Sequence, residues 1–580
     1  MVNLTINGTP VSVPEGTTIL EAARIAHIHI PHLCYLKDLN EIGACRLCAV
    51  EVEGEAKLTP ACDNVVREGM VVRTNSSRVR WARKINLELI LSQHDCTCAT
   101  CVRSSNCKLQ KLANDFGILE TRFRKNLIPK KFRAWDHNFP LIRESTKCIG
   151  CMRCIQVCDK MQGMHIWDLE GTGGRTHINV ADMKDIQDSN CTLCGQCITH
   201  CPTGALRERN DIDRVMWAID NPDITTVVQI APAVRTAWGE SFGLKPEEAT
   251  INRLAGCLRQ LGIDYVFDTS FSADLTIMEE GTEFLHRLEK GDLEKYPMFT
   301  SCCPGWIRFI KSEYPDLVGQ LSTAKSPQQM FGSVIKTYFA QKLGKKPEQI
   351  YSISIMPCVA KKAECDLPTM KNENGVQDVD VVLTTREVVR MFRSERLSVA
   401  KVYETPFDRL MGDYSGAGVI FGATGGVMEA ALRSAYYLVT GKNPPAEAFN
   451  AVRASAFSAS APWRSATYDI GGQKITAAVV SGLANTRKLC EAILAGQVKY
   501  DFVEVMACPG GCSGGGGQPI NVDDEERALS RGQVLYNIDR GMTLRFSHEN
   551  EEVLALYSDM LEAPYSEKAE KLLHTDHFKC

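Results

Sequence analysis

Twenty-five cysteines stand in a chain of 580 residues. The most telling pair is Cys302-Cys303, in Thr300-Ser-Cys-Cys-Pro-Gly-Trp306. The two thiols follow an apolar run, Met298-Phe299, and are stopped by a Pro-Gly turn. Neighbouring side chains on an extended segment point to opposite sides, so the two do not readily serve one metal together. Two later stretches are its counterparts: Met356-Pro-Cys358-Val-Ala-Lys361-Lys-Ala-Glu364, and Met506-Ala-Cys508-Pro-Gly-Gly-Cys512 with Gly514 to Gly517 behind it. Cys303, Cys358, Cys508 and Cys512 supply four ligands for one buried metal centre. Cys302 is left beside it as a spare thiol.

The remaining cysteines cluster ahead of these. Cys148-x2-Cys151-x2-Cys154-x3-Cys158 is repeated as Cys191-x2-Cys194-x2-Cys197-x3-Cys201-Pro202. This is the run of bacterial two-cluster ferredoxins, whose fourth cysteine ligates the other repeat's cluster. It assigns Cys148, Cys151, Cys154 and Cys201 to one 4Fe-4S cluster, and Cys191, Cys194, Cys197 and Cys158 to a second. Asp159 replaces the usual proline of the first repeat without touching the ligands. Upstream, His94-x3-Cys98-x2-Cys101-x5-Cys107 offers one imidazole and three thiolates, with Cys96 as a nearby competitor. Zinc and iron-sulfur clusters both accept that set; its place between other presumed clusters favours iron-sulfur. Cys34, Cys45, Cys48 and Cys62 include one C-x2-C, but the first gap is longer than in plant-type ferredoxins. A four-cysteine zinc site is the rival there. Cys257, Cys365, Cys490 and Cys580 fit ordinary buried thiols.

Elements must hold these groups. Val2–Ile6 and Thr9–Val13 flank Asn7-Gly8, a strong hairpin signal, and Thr17 to Glu21 opens a helix. That context favours 2Fe-2S in a β-grasp-like domain over 1–78. An Arg-rich helical stretch (Arg78, Arg80, Arg83, Lys84) leads into a one-His/three-Cys domain over 79–126. A two-4Fe-4S ferredoxin-like domain follows over 127–209. From 210 to 580 apolar runs alternate with helical patterns: Thr226–Ile230, Tyr265–Asp268, Tyr351–Met356, Val379–Thr384, Ile475–Val480 and Phe502–Met506 read as strands. The expected architecture is multidomain, α/β and α+β, with a large two-lobed α/β catalytic domain. Several strands end at Ala231-Pro232, Cys302-Cys303, Cys358 or Cys508, the end of an α/β sheet where ligands bind. The C-terminal part reads as helical, without chemistry of its own. Gly416-Ala-Gly418-Val-Ile-Phe421 lacks the third glycine and the context of a dinucleotide loop; Gly425-Gly426 reads as close packing.

The net charge of −4 points to neither nucleic acid nor a membrane surface, and no apolar run approaches the ~20 residues of a spanning helix. The N-terminus lacks the order of a signal peptide. A cytoplasmic location is the expectation, and there cysteines serve as metal ligands rather than disulfides. The basic run Arg122, Arg124, Lys125, Lys130, Lys131, Arg133 reads as a solvated face, or as a docking site for an acidic electron carrier.

TSCCPGW, MPCVAKKAE and MACPGGCSGGGGQP resemble the three cluster-binding signatures of FeFe-hydrogenases. The order of N-terminal cluster sites is similar to that of the monomeric bacterial, clostridial-type, enzymes. The resemblance covers essentially the whole chain. It implies reversible 2H+ + 2e− ⇌ H2 at an H-cluster, a 4Fe-4S cubane on Cys303, Cys358, Cys508 and Cys512. Cys512 would also bridge to a di-iron unit carrying CO, cyanide and an azadithiolate. One 2Fe-2S and three accessory 4Fe-4S clusters would feed it. Ala231, Pro232, Ala233, Gln328, Met356, Phe421 and Met506 would wall the pocket, with Ala233 where some relatives have serine. Lys361 would face the cyanide. Cys302 would relay protons, with a path over Glu280, Glu283, Ser322 and Arg287, although spacing alone favours a salt-bridged surface helix. Ferredoxin or flavodoxin would exchange electrons, and separate maturation proteins would install the di-iron unit. An assembly scaffold or a hydrogen sensor on the same framework are the rival readings. A scaffold has no need of Cys302, Lys361 or the glutamates, and no appended signalling domain is visible.

Overall fold

The computed structural model describes residues 1–120, 122–123, 132–445, 447–453, 460–521 and 526–579. Arg124, Lys125, Lys130, Lys131 and Cys580 therefore lie outside the described residues. At the N-terminus β1 (Val2–Ile6), β2 (Thr9–Val13), β3 (Ala49–Val52), β4 (Thr59–Pro60) and β5 (Val71–Arg73) form a sheet in the order β2-β1-β5-β3-β4. Asn7 and Gly8 both take positive φ, as the two-residue turn between antiparallel β1 and β2 requires. Thr18 caps the helix Ile19–Ile25, its hydroxyl accepting from the Glu21 N–H. The helix Ser77–Gln93 is tied to this sheet by buried Arg83, which donates to the carbonyl of Ala49 at 2.8 Å. It delivers His94 at its end.

The cysteine repeat folds as a repeat. β6 (Leu141–Arg143) pairs antiparallel with β9 (Leu206–Glu208), and β7 (Trp167–Glu170) with β8 (His177–Val180). Gly150 and Leu193 hold equivalent positions in the two halves and share a left-handed backbone (φ 64° and 56°); so do Met152 and Gly195 (φ 60° and 72°). A left-handed non-glycine residue costs of order 1 kcal/mol or more, and here each half carries one.

The rest of the chain builds two lobes. β10 (Thr225–Ile230), β11 (Tyr265–Asp268), β13 (Ile350–Met356) and β14 (Val381–Thr384) form an all-parallel sheet in the order β11-β10-β13-β14. β12 (Met298–Phe299), β15 (Arg464–Ile470), β16 (Gln473–Ser481) and β17 (Phe502–Met506) form the other, in the order β12-β17-β16-β15. Its inner pairs are parallel, and β15 runs antiparallel at the edge. The expected strands of this half lie within a residue or two of those observed. β15 escaped the sequence reading because RSATYDI is a polar, half-exposed edge strand. The sequence Gly416-Ala-Gly418 forms the helix Gly416–Ile420, capped by Ser415, rather than a nucleotide loop. Gly425 is tightly packed, since a Cβ there would meet the Val452 carbonyl at 2.2 Å. The helix Ser270–Lys290 is buried along most of its length, with Glu280 and Glu283 at 1 % and 0 % exposure, which removes the surface-helix alternative. Among the described residues no helix is long and apolar enough to cross a membrane.

Candidate active site

Four strand ends converge between the lobes. Ala231 and Pro232 follow β10, Cys302 and Cys303 follow β12, Cys358 follows β13, and Cys508 follows β17. Cys303 directly precedes the helix Pro304–Glu313, with Pro304 at the first position where no N–H is needed. Cys512 lies in a short helical turn, Gly511–Gly514. Together with Ala233, Gln328, Met356, Lys361, Phe421 and Met506 these residues line one cavity. Its wall is almost wholly apolar apart from the sulfurs, Gln328 and Lys361. Burial pushes the Cys358 and Cys512 thiols up to about 12 and Cys508 well above the ordinary thiol value. Four soft sulfur donors around one dry space fit an iron-sulfur cluster with a further group beside it.

Lys361 reaches the cavity from the helix Ala360–Glu364 and is itself held: Nζ donates to the Cys302 carbonyl at 3.2 Å and to both Glu364 oxygens at 2.9 and 3.1 Å. Gln328 donates to Glu364 at 3.1 Å and accepts from Ser354 at 3.0 Å. Glu364 was missed in the sequence, although it sits three residues after Lys361 on the same short helix. Next to it, Lys362 pairs with Asp211 and Glu387, all three buried. Cys365 is buried, with Gln328 and Gln329 donating to its sulfur at 3.4 and 3.5 Å.

The Cys302 thiol is pushed well up by burial and secondly by facing Glu280. Glu280 is itself pushed up to about 8, chiefly by burial and then by the charge of Glu283. One of its oxygens takes a long bond from the Ser301 N–H, and the other has no hydrogen-bond partner. Ser322 donates to Glu283 at 2.7 Å, and Arg287 pairs with the same carboxylate at 2.6 Å. Two groups beyond them were missed: Thr323, whose hydroxyl donates to Glu283, and His574, 2.7 Å from that hydroxyl. The C-terminal segment therefore reaches the Thr323 hydroxyl that donates to Glu283. No periodicity in the sequence links position 574 to position 283.

The accessory cysteines are grouped in turn. Cys148, Cys151, Cys154 and Cys201 line a second cavity. Burial pushes the Cys158 and Cys197 thiols up, and the charges of nearby Cys191 and Cys194 push both further in the same direction. Cys34 and Cys45 sulfurs lie 3.4 Å apart, and the thiols of Cys48 and Cys62 are hydrogen-bonded partners in the same buried group. His94 donates Nδ1–H to the Lys147 carbonyl at 3.0 Å, which leaves Nε2 as the lone-pair nitrogen. Cys98, Cys101 and Cys107 are half-buried, whereas Cys96 is exposed with its thiol toward the Leu91 and His94 carbonyls.

These groups abut. Asn40 Nδ2 donates to the carbonyls of Cys34 and Cys151 at 2.7 and 2.9 Å. Buried Arg153 donates to the Cys34 and Tyr35 carbonyls. Lys147, which holds His94, immediately precedes Cys148. At the far end Cys508 Sγ approaches the Cys194 carbonyl at 3.6 Å. A Cβ on Gly516 would meet that same carbonyl at 2.2 Å, so only glycine permits the contact.

Comparison with known proteins agrees with this layout. Residues 224–516 match the family "Iron only hydrogenase large subunit, C-terminal domain", and 525–579 match "Iron hydrogenase small subunit". Residues 1–77, 83–122 and 147–205 match a 2Fe-2S binding domain, an NADH-ubiquinone oxidoreductase-G iron-sulfur region and a 4Fe-4S dicluster domain. The chain is 45 % identical to the NADP-reducing hydrogenase subunit HndD of Solidesulfovibrio fructosivorans, covering 100 % of this chain and 99 % of the relative. It is 39 % identical to iron hydrogenase 1 of Clostridium pasteurianum over the full length of both. A solved apo FeFe-hydrogenase, a HydA1 variant from Chlamydomonas reinhardtii, is 40 % identical with a TM-score of 0.56, covering 63 % of this chain and 98 % of that one. The chain belongs to the iron-only hydrogenase family, oxidoreductases acting on H2, and joins its catalytic domain to 2Fe-2S and 4Fe-4S domains.

Proposed function

We propose that this chain interconverts protons and H2 at an H-cluster whose 4Fe-4S part would be held by Cys303, Cys358, Cys508 and Cys512, with Cys302 as the proton-carrying neighbour. The observation that carries the reading is the meeting of these four cysteines in one dry cavity, with a buried carboxyl facing the fifth thiol. When bound there, a di-iron unit bearing CO, cyanide and an azadithiolate would supply the chemistry of H–H bond making and breaking, with Cys512 among the residues that would hold it. Cys302 stays a thiol at neutral pH, and so has a proton to hand on. Glu280 stays a carboxyl below about pH 8 and takes its place as the next carrier. Ser322 and Glu283 continue outward, and Arg287 fixes the charge of Glu283. Lys361 brings positive charge into a site of low dielectric, oriented by Glu364. Ala231, Pro232, Met356, Phe421 and Met506 exclude water, and Ala233 offers no hydroxyl.

Electrons would pass over one 2Fe-2S and three 4Fe-4S clusters, in domains spanning 1–78, 79–126 and 127–209, to the catalytic domain at 210–580. The ligands are those named from the spacing, His94 among them. The cytoplasm is the proposed location, and ferredoxin or flavodoxin the proposed carrier. Likeness to an NADP-reducing hydrogenase subunit favours a second reading of the carrier, a companion subunit that handles the nicotinamide. Infrared bands of metal-bound CO and cyanide in matured protein, with H2 evolution from reduced viologen, test the centre. Fully loaded protein without turnover would overturn it. NADPH-linked turnover that requires an added subunit would decide for the second carrier.

A further inference from the structure

Four groups meet the Glu283 carboxylate: Arg287 Nη2 at 2.6 Å, Ser322 Oγ at 2.7 Å, and the N–H and hydroxyl of Thr323 at 3.0 and 3.1 Å. Ser322 leads inward. Arg287 is no way out, because a guanidinium does not give up its proton in a protein. A backbone amide does not relay either. The Thr323 hydroxyl is the remaining link, and it lies 2.7 Å from His574 Nδ1. The other ring nitrogen, Nε2, lies 3.0 Å from the buried carboxylate of Glu279. Glu279 in turn accepts from the Tyr557 hydroxyl at 2.5 Å and the Tyr565 N–H at 2.8 Å. The Tyr565 ring stands edge-on to the imidazole and to His286, and the His574 N–H returns to the Glu570 carbonyl. The charged and titratable groups around His574 are thus Glu279, Glu283 with Arg287, Glu570, Tyr557 and Tyr565.

We propose that His574 is the outer proton-exchange residue of this path, passing a proton to and from Glu283 through the Thr323 hydroxyl. The proposal rests on Glu283 belonging to the proton path. Inward, the Nδ1 proton moves to Thr323 Oγ as the hydroxyl proton moves to Glu283. One N–H and one O–H bond break, two O–H bonds form, and no electrons are exchanged. The imidazolium becomes imidazole and the carboxylate becomes a carboxyl. The Nε2–H bond to Glu279 persists in both states, so the ring need not turn. Solvent recharges the ring, of whose side chain 6 % is exposed.

The test uses the full-length matured chain. His574→Ala lowers H2 evolution by about tenfold or more and removes a limb of its pH profile, and added imidazole restores both. Thr323→Val slows turnover equally but is not rescued by imidazole, while Thr323→Ser behaves as the parent. Independently of turnover, the protonated carboxyl infrared band of Glu280, assigned by its loss in Glu280→Gln, exchanges more slowly in D2O in His574→Ala. An unchanged pH profile with parental exchange, or a loss that imidazole does not repair, overturns the proposal. If Glu283→Gln blocks turnover while His574→Ala does not, the outer step alone fails. If Glu283→Gln is fully active, the path itself fails.

Discussion

A carboxylic acid that keeps its proton at neutral pH is expensive to ionise where it stands, and Glu280 is such an acid. Burial and the charge of Glu283 hold it at about 8. Its folded value lies above its unfolded one, so the folded state binds more protons between roughly pH 4.5 and pH 8 and loses stability as the pH climbs through that window. Glu280→Gln should therefore raise the thermal midpoint at pH 8.5 relative to the parent, by an amount equivalent to up to about 5 kcal/mol, and leave the two alike near pH 4. The same substitution should abolish most H2 turnover. Cys302→Ala should lower turnover at least about 100-fold with iron content unchanged, checked by viologen assay and metal counting; survival of activity would remove the thiol from the path.

At the scale of elements, the second signature is held from behind. Lys362 lies at 0 % exposure between Asp211 and Glu387, and it also donates to the Val382 carbonyl on β14. Lys362→Met leaves buried Glu387 without its ion-pair partner, while Asp211 keeps Arg209 at 3.0 Å, and should destabilise the protein by about 3 kcal/mol, read as a lowered denaturant midpoint. Gly516→Ala should push the Cys508 loop off the Cys194 carbonyl and slow reduction through the accessory clusters, read as carrier-linked turnover falling more than viologen-linked turnover. The strands that carry the site were legible because each is an apolar run ending abruptly in Cys or Pro. The glycine run announced close backbone approach. What eluded the sequence were pairings set by tertiary contact. Glu364 gives no sign of serving Lys361 until both are on one short turn, and β15 is too polar to read as a strand. Thr323 and His574 meet across 251 positions. The cysteine spacings, by contrast, are local, and local spacing is what a linear reading captures.

For the whole molecule, the junctions matter more than the domains. Arg153 is 1 % exposed and donates to carbonyls in the N-terminal domain while sitting in the cysteine repeat. Arg153→Ala should loosen that junction, with the N-terminal cluster reduced more slowly than the others in rapid-freeze spectra while viologen turnover persists. The shared cavities carry a further implication for how the chain is made. Cys303 and Cys512 are 209 positions apart, so a ribosome adding about 5–20 residues per second needs roughly 10 to 40 s between them. Through that interval the nascent site offers an incomplete set of thiols. The proposed iron-sulfur group can be fully clasped only after Cys512 has been added, so its delivery to this centre cannot precede that residue.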